Sequence, residues 1–237
     1  MGSQQVLQAI QQDAFEKQSA EEVLRWALQT FHPRIALAWS GAEDVVVIDM
    51  LLKINPKARV FTLDTGRLNQ ETYEVMDEVK KKYGLQLEVM FPDSKATETM
   101  VREKGMNLFY HSIENRKQCC GVRKVEPLNR ILGELDAWIT GLRRTQAVTR
   151  TRLQKVEIDD AHRGMVKVNP LADWSLEQVW DYIKKHKVPY NKLHDQHYPS
   201  IGCEPCTRAV KPGEDERAGR WWWELPEQKE CGLHVKH

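Results

Sequence analysis

The 237-residue chain predicts an α/β fold: a mainly parallel sheet flanked by helices, followed by a loop-rich C-terminal segment. Two observations carry this. Short, almost continuously apolar runs alternate with amphipathic helical stretches, as strands buried on both faces require. Beyond Pro189 the periodicity fades, and three of the five cysteines and the Trp221-Trp-Trp223 run lie there.

Two helices open the chain. The second is introduced by Ser19-Ala-Glu-Glu22, a capping-box pattern, and stops before Pro33. Residues 34–39 read as a buried strand, and Ser40-Gly-Ala-Glu-Asp44 turns into a helix rich in apolar residues from Val45 to Leu52. Asn55-Pro56 ends it, and residues 59–64 form the next strand. A helix over 70–83 closes at Gly84, a C′ glycine, and residues 85–91 alternate as a strand does. A helix over 95–104, a loop, a helix over 123–135 and a strand over 137–140 follow. A hairpin-like stretch reaches Val168, and Ser175-Leu-Glu-Gln178 opens a helix running to about His186.

The length suits one domain with a tail, here residues 1–210 and a C-terminal catalytic tail over 211–237, expected to be mobile. A net charge of +1 singles out no nucleic-acid partner, and no apolar run approaches the ~18–20 residues that span a bilayer. The N-terminus is Gln-rich without an apolar core, so a cytoplasmic location is expected. In a reducing compartment, five cysteines are ligands or catalysts before they are disulfides. Homo-oligomerisation stays open.

Cys119 and Cys120 are adjacent, and Cys203-Glu-Pro-Cys206 forms a second pair. Four thiolates in two pairs suit one soft-metal site, zinc or an iron–sulfur cluster. Adjacent cysteines fit one tetrahedral ion awkwardly, and the separate irons of a cluster accept them more easily. Cys231 is left over, with Gly232, His234, Lys236 and His237 around it, and that positive charge favours a thiolate. It is a candidate nucleophile, the bland alternative being a bystander surface thiol.

Three successive strand ends carry polar and basic residues. Ser40-Gly41 leads from strand into helix, where unpaired N–H groups favour an anion, although Ser40-x-x-Glu43 is also a capping box. Asp64-Thr65-Gly66-Arg67 ends the second strand, and Gly141-Leu-Arg143-Arg144, with Gln146 and Arg150 following, ends the strand over 137–140. An anion-binding crevice at the carboxyl ends of the strands explains all three, where solvated loop charge explains none in particular. Lys124, a turn beyond Cys120, falls between the metal site and this crevice.

Lys117-Gln-Cys-Cys-Gly-Val-Arg-Lys124, Trp138-Ile-Thr-Gly-Leu-Arg-Arg144, Tyr190-Asn-Lys-Leu-His-Asp195, Tyr198-Pro-Ser-Ile-Gly-Cys-Glu-Pro-Cys-Thr207, Gly213-Glu-Asp-Glu-Arg-Ala-Gly-Arg-Trp221 and Glu230-Cys-Gly-Leu-His234 together resemble the assimilatory adenylyl-sulfate (APS) reductases of bacteria. The resemblance runs from about Trp39 to His234. It implies a Rossmann-like adenine-nucleotide α-hydrolase fold shared with ATP pyrophosphatases. It implies one [4Fe–4S] cluster on Cys119, Cys120, Cys203 and Cys206, and Cys231 as the nucleophile. APS is then the substrate and thioredoxin a transient partner through a mixed disulfide, with sulfite and AMP as products. Lys124, Arg143, Arg144, Arg150 and Arg217 become the cations around the anionic groups, and His234 supports the tail. One departure is Ala147, where the family pattern has Ser.

Three rival readings differ in specific residues. The PAPS-reducing members of this family resemble the chain at Cys231 but lack both cysteine pairs; dual use of APS and PAPS remains compatible. ATP-dependent tRNA sulfurtransferases carry a Ser-Gly-Gly-x-Asp-Ser loop, whereas Ser40-Gly-Ala-Glu-Asp44 has Ala and no terminal Ser. A zinc-binding module leaves Cys231 and the arginines without a role.

Overall fold

The computed structural model describes residues 3–146, 150–225 and 229. Six strands form one sheet: β1 Ile35–Ala38, β2 Arg59–Leu63, β3 Leu87–Met90, β4 Ala137–Ile139, β5 Val156–Asp159 and β6 Met165–Val168. Their order is β3-β2-β1-β4-β6-β5, all parallel except β5, which pairs antiparallel with β6. Leu37 lies level with Val60 on one side and Ile139 on the other. The connections wind outward from β1 in both directions, so the loops after β1 and β4 part at the carboxyl end of the sheet. Open α/β sheets bind ligands in that crevice.

The helices are α1 Ser3–Gln11, α2 Ala20–Phe31, α3 Val45–Ile54, α4 Gln70–Tyr83, α5 Ser94–Lys104, α6 Ile113–Cys120, α7 Glu126–Leu132 and α8 Leu176–His186. The capping boxes at Ser19/Glu22 and Ser175/Gln178 are both formed, and Gly84 ends α4 in the left-handed conformation. Alternation along β1 divides the core. Ile35 and Leu37 face a cluster with Leu24, Val46, Leu51 and Val179, while Ala36 faces Phe61, Leu128, Ile131 and Trp138. Each fully buried Val, Leu or Phe contributes about 1.5–3 kcal/mol, and this fixes the sheet that carries the site loops. Among the described residues, no helix is long and apolar enough to cross a membrane.

One segment departs from the sequence reading. The expected loop after residue 104 is largely helical: Ser112 caps α6 by accepting from the Asn115 N–H, and α6 runs through a π-turn, Gly121–Val125, into α7. Cys119 and Cys120 therefore sit at the end of a helix. The inward-facing residues of α6 are Arg116 and Cys120, so no apolar stripe marks it.

Residues 211–225 fold back on the domain. Arg220 forms a bridge with Thr207, the Trp221 N–H donates to the Cys206 carbonyl at 3.1 Å, and Trp221 is buried.

Candidate active site and cysteine cavity

The loop after β1 is closed on itself. Gly41 has φ +80°, and a Cβ there would come within 2.7 Å of Thr72 Cγ2, so only glycine fits. Asp44 accepts from the N–H groups of Ser40 (2.8 Å) and Ala42 (3.2 Å), replacing the Ser40–Glu43 capping box that the sequence suggests. Burial, reinforced by the charge of Glu43, pushes the Asp44 carboxyl up to about 7. Gly141 at the end of β4 approaches so closely that a Cβ would lie 2.2 Å from Asp44 Cβ. Asn191 supports the same loop, its amide donating to the Gly41 carbonyl at 3.0 Å.

A cavity of about 220 Å³ opens between these loops. Its lining combines apolar side chains, with Phe61, Leu128 and Trp138 packed in one cluster, and polar ones, Ser40, Thr65, Lys124, Arg150, Arg217 and Arg220. Glu43 organises one wall. It accepts from Arg143 Nη2 at 2.9 Å and from Gln146 Nε2 at 3.1 Å, while Gln146 Oε1 accepts from Arg150 Nη1 at 2.7 Å. His194 Nε2 stands 3.9 Å from the other Glu43 oxygen. Arg217 Nη2 donates to the Lys229 carbonyl at 3.0 Å, and Arg220 Nη1 donates to the Ile201 carbonyl at 3.0 Å.

A second, smaller cavity adjoins the first. Cys119, Cys120, Cys203 and Cys206 line it together, with Arg67, Arg116, Arg123 and Lys124. Among the described residues, no three Cys, His, Asp or Glu side chains meet as ligands of one ion do; the four sulfurs ring a space. Positive charge and donors point at them. Lys124 and the Thr65 hydroxyl hydrogen-bond Cys203, the Thr65 oxygen at 3.2 Å, and Arg116 hydrogen-bonds Cys120. Burial opposes ionisation of Cys203, but Lys124, Thr65 and Arg220 outweigh it and hold that thiol below its usual range. Burial and a neighbouring thiolate push Cys119 up to about 11 and Cys206 up to about 12. Ionising four sulfurs this close together is opposed by burial and mutual repulsion, which a cationic metal group bound among them would offset, and this donor set fits an iron–sulfur cluster.

A scan of family models finds the phosphoadenosine phosphosulfate reductase domain over residues 34–209. The chain belongs to this family. A protein of Burkholderia cepacia named adenosine 5′-phosphosulfate reductase is 51% identical over 205 residues, covering 86% of this chain and 82% of that one. A relative of the same name from Allochromatium vinosum is 53% identical, covering 82% of this chain and 75% of its own. The solved phosphoadenylyl-sulfate reductase of Candida auris, a phosphate complex, superposes with a TM-score of 0.73 at 29% identity, over 89% of this chain and 98% of that one. The FMN adenylyltransferase of Candida glabrata, at TM-score 0.54 and 16% identity over 92% of this chain and 74% of that one, shares the fold alone. These chains are reductases and nucleotide enzymes of one architecture.

Within this reductase family fold, the expected site residues that the structure describes fall into three groups. Ser40, Thr65, Gly141, Lys124, Arg150, Arg217 and Cys203 line the larger cavity, and Gly41 shapes its loop. Gly66 and Arg67 lie on the cysteine side: Gly66 packs beside the Arg123 guanidinium, and Arg67 binds the Met106 carbonyl and Asn107. Arg143 and Arg144 line neither cavity. Arg143 is 1% exposed and paired with Glu43, whereas Arg144 turns away to Glu16 and to the Leu153 carbonyl at 2.6 Å. Cys231, His234 and Ala147 lie outside the described residues. Glu43, Asp44, His194 and Arg220 gain site roles only from the structure. Of these, Arg220 stands within the Gly213–Trp221 motif, three residues after Arg217.

Proposed function

We propose that the chain reduces APS to sulfite and AMP, with Cys231 as nucleophile and a thioredoxin as electron donor, in the cytoplasmic assimilation of sulfate. The observation that carries this reading is the wall shared by the two cavities. Lys124, Cys203 and Trp221 line both, so a ring of four cysteines lies directly behind a cationic nucleotide cleft. The names of the relatives at 46–53% identity support APS as the substrate.

The adenine suits the apolar lining of Phe61, Leu128 and Trp138, and the phosphosulfate suits the cations Lys124, Arg217 and Arg220. Ser40 and the loop amides would take the phosphate once Asp44 releases them. Cys231 follows Lys229 by two residues, at most about 7 Å of chain, and Arg217 grips the Lys229 carbonyl at the cleft. A thiol tethered so closely to Lys229 can reach the cationic side chains of the cleft, which supports Cys231 as the nucleophile.

The Cys231 thiolate attacks sulfur, the S–O bond to AMP breaks with its electron pair, and an S-sulfocysteine remains. A thioredoxin thiolate then attacks the Cys231 sulfur, the bond to the sulfonate breaks, and sulfite leaves with that pair. The second thioredoxin thiol resolves the mixed disulfide, so two thiols become one disulfide as S(VI) becomes S(IV). Cys119, Cys120, Cys203 and Cys206 would hold a [4Fe–4S] cluster, which supplies electrostatic and structural support there. Lys124, hydrogen-bonded to Cys203, conveys positive potential into the cleft.

Sulfite release from APS and PAPS, measured side by side with cluster-replete protein and thioredoxin, tests the reading. APS is expected to be turned over at far lower concentration; a preference for PAPS would reassign the substrate.

A further inference from the structure

One buried ion pair has no part in the chemistry above. Arg116, at the centre of α6, donates from Nε and Nη2 to the two carboxylate oxygens of Glu224, at 3.0 and 2.8 Å. Their side chains are 0% and 3% exposed. The same guanidinium lies 4.8 Å from the Trp221 ring and hydrogen-bonds the Cys120 sulfur. It is a single cation shared by the cysteine cavity and the segment that leads towards Cys231.

Taking such a pair out of water costs several kcal/mol per ion, which the attraction only offsets when geometry is good. An apolar pair of similar volume would hold two surfaces together as well. What the fork adds is direction: a bidentate guanidinium fixes a carboxylate in two dimensions, and Glu224 is thereby set relative to α6. A second tie runs parallel, since the Trp221 N–H donates to the Cys206 carbonyl. The C-terminal segment is thus fastened to both cysteine pairs, to Cys120 through Arg116 and to Cys206 through Trp221.

We propose that Arg116 is a positioning residue that couples the state of the cysteine cavity to the placement of the C-terminal segment. With the four sulfurs held together, Arg116 is held from both sides and Glu224 is fixed. When the cavity loses its iron, the Cys120 sulfur is no longer pinned, Arg116 loses its fixed partner on that side, and the chain leading to Lys229 loses its reference point. This rests on the assignment of the four cysteines to a cluster, and it makes that cluster the element that aims the nucleophile.

Trypsin cleavage after Lys229, followed by mass spectrometry under anaerobic reducing conditions, reads the coupling without turnover. Iron removal should accelerate this cleavage about tenfold or more in the unaltered protein, because cleavage tracks local opening. Glu224→Gln should be cleaved comparably fast while retaining its iron, and iron removal should then add less than about twofold. The double variant Arg116→Met, Glu224→Leu, which leaves no uncompensated buried charge, should behave as Glu224→Gln does if the single change folds poorly. Glu224→Gln should also lower kcat about tenfold with KM for APS within about twofold, since the nucleotide cleft is untouched. Cleavage unchanged after demonstrated loss of iron, or effects of the two perturbations that simply multiply, would overturn the coupling. A protein that never holds iron would fail the cluster assignment instead. In that case Glu224→Gln cleaved at the unaltered rate overturns the tether, and faster cleavage supports it.

Discussion

Lys124 and Cys203 meet in the wall between the two cavities, the lysine ammonium hydrogen-bonded to the cysteine sulfur while also lining the nucleotide cleft. Both side chains are buried, at 9% and 8% exposure, so the contact is poorly screened. An anionic thiol attacking a doubly anionic substrate needs such a cation more in the transition state than in the ground state. Lys124→Ala should therefore lower single-turnover AMP release by about 10²–10³-fold, with a smaller effect on APS binding. Equal losses in rate and affinity would make Lys124 a binding residue only.

Cys203→Ser should strip or destabilise the cluster, seen as loss of the brown absorbance near ~400 nm and of labile sulfide. Serine keeps the shape of the site but is a far weaker soft-metal ligand. One zinc per chain with no labile sulfide in the unaltered, anaerobically prepared protein would replace the cluster by a zinc site.

The Glu43–Arg143 pair is a structural prediction rather than a catalytic one. Glu43→Ala leaves Arg143 buried, 1% exposed, without its carboxylate, and should cost about 3–5 kcal/mol in denaturant unfolding. Arg150 reaches this network through Gln146, so APS affinity should fall as well. A loss under about 1 kcal/mol would show that Arg143 finds water or another acceptor.

Asp44 gives a pH dependence whose sign is fixed. Its folded carboxyl titrates at about 7 against an ordinary value of 3.8, so between these the folded chain binds the extra proton. Stability from this group is full below about 4 and is lost as pH rises through about 7. An incoming phosphate competes with Asp44 for the Ser40 and Ala42 N–H groups, and a neutral Asp44 yields them more readily. With Cys231→Ser used to prevent turnover, APS should bind more tightly at pH 6 than at pH 8, and Asp44→Asn should flatten that difference. An unchanged slope in Asp44→Asn would assign it to another group.

The sheet and most helices are legible in the sequence because their signals are local. Ser19/Glu22 and Ser175/Gln178 cap, Gly84 terminates, and the central strands β1 and β4 are apolar on both faces. Helix α6 is not legible, since what it buries is an arginine and a cysteine whose partners lie in residues 203–224. The four cysteines and Lys124 converge as their motifs suggest. Arg143 and Arg144 do not line the cleft because loop direction, which no periodicity encodes, sends one to Glu43 and the other to Glu16. Asp44 occupies the amides that a strand-to-helix turn offers an anion, a competition visible only once the loop is folded.

The central claim is that a thiol on this chain, and not the cluster, takes the sulfur. Mixed with APS in the absence of thioredoxin, the enzyme should release about one AMP per active chain and stall, gaining roughly 80 Da on the peptide that contains Cys231. Reduced thioredoxin should discharge the adduct as sulfite, and a one-electron reductant alone should not. Sulfite formed with a one-electron reductant and no thiol, or a mass gain on any other peptide, would contradict the account.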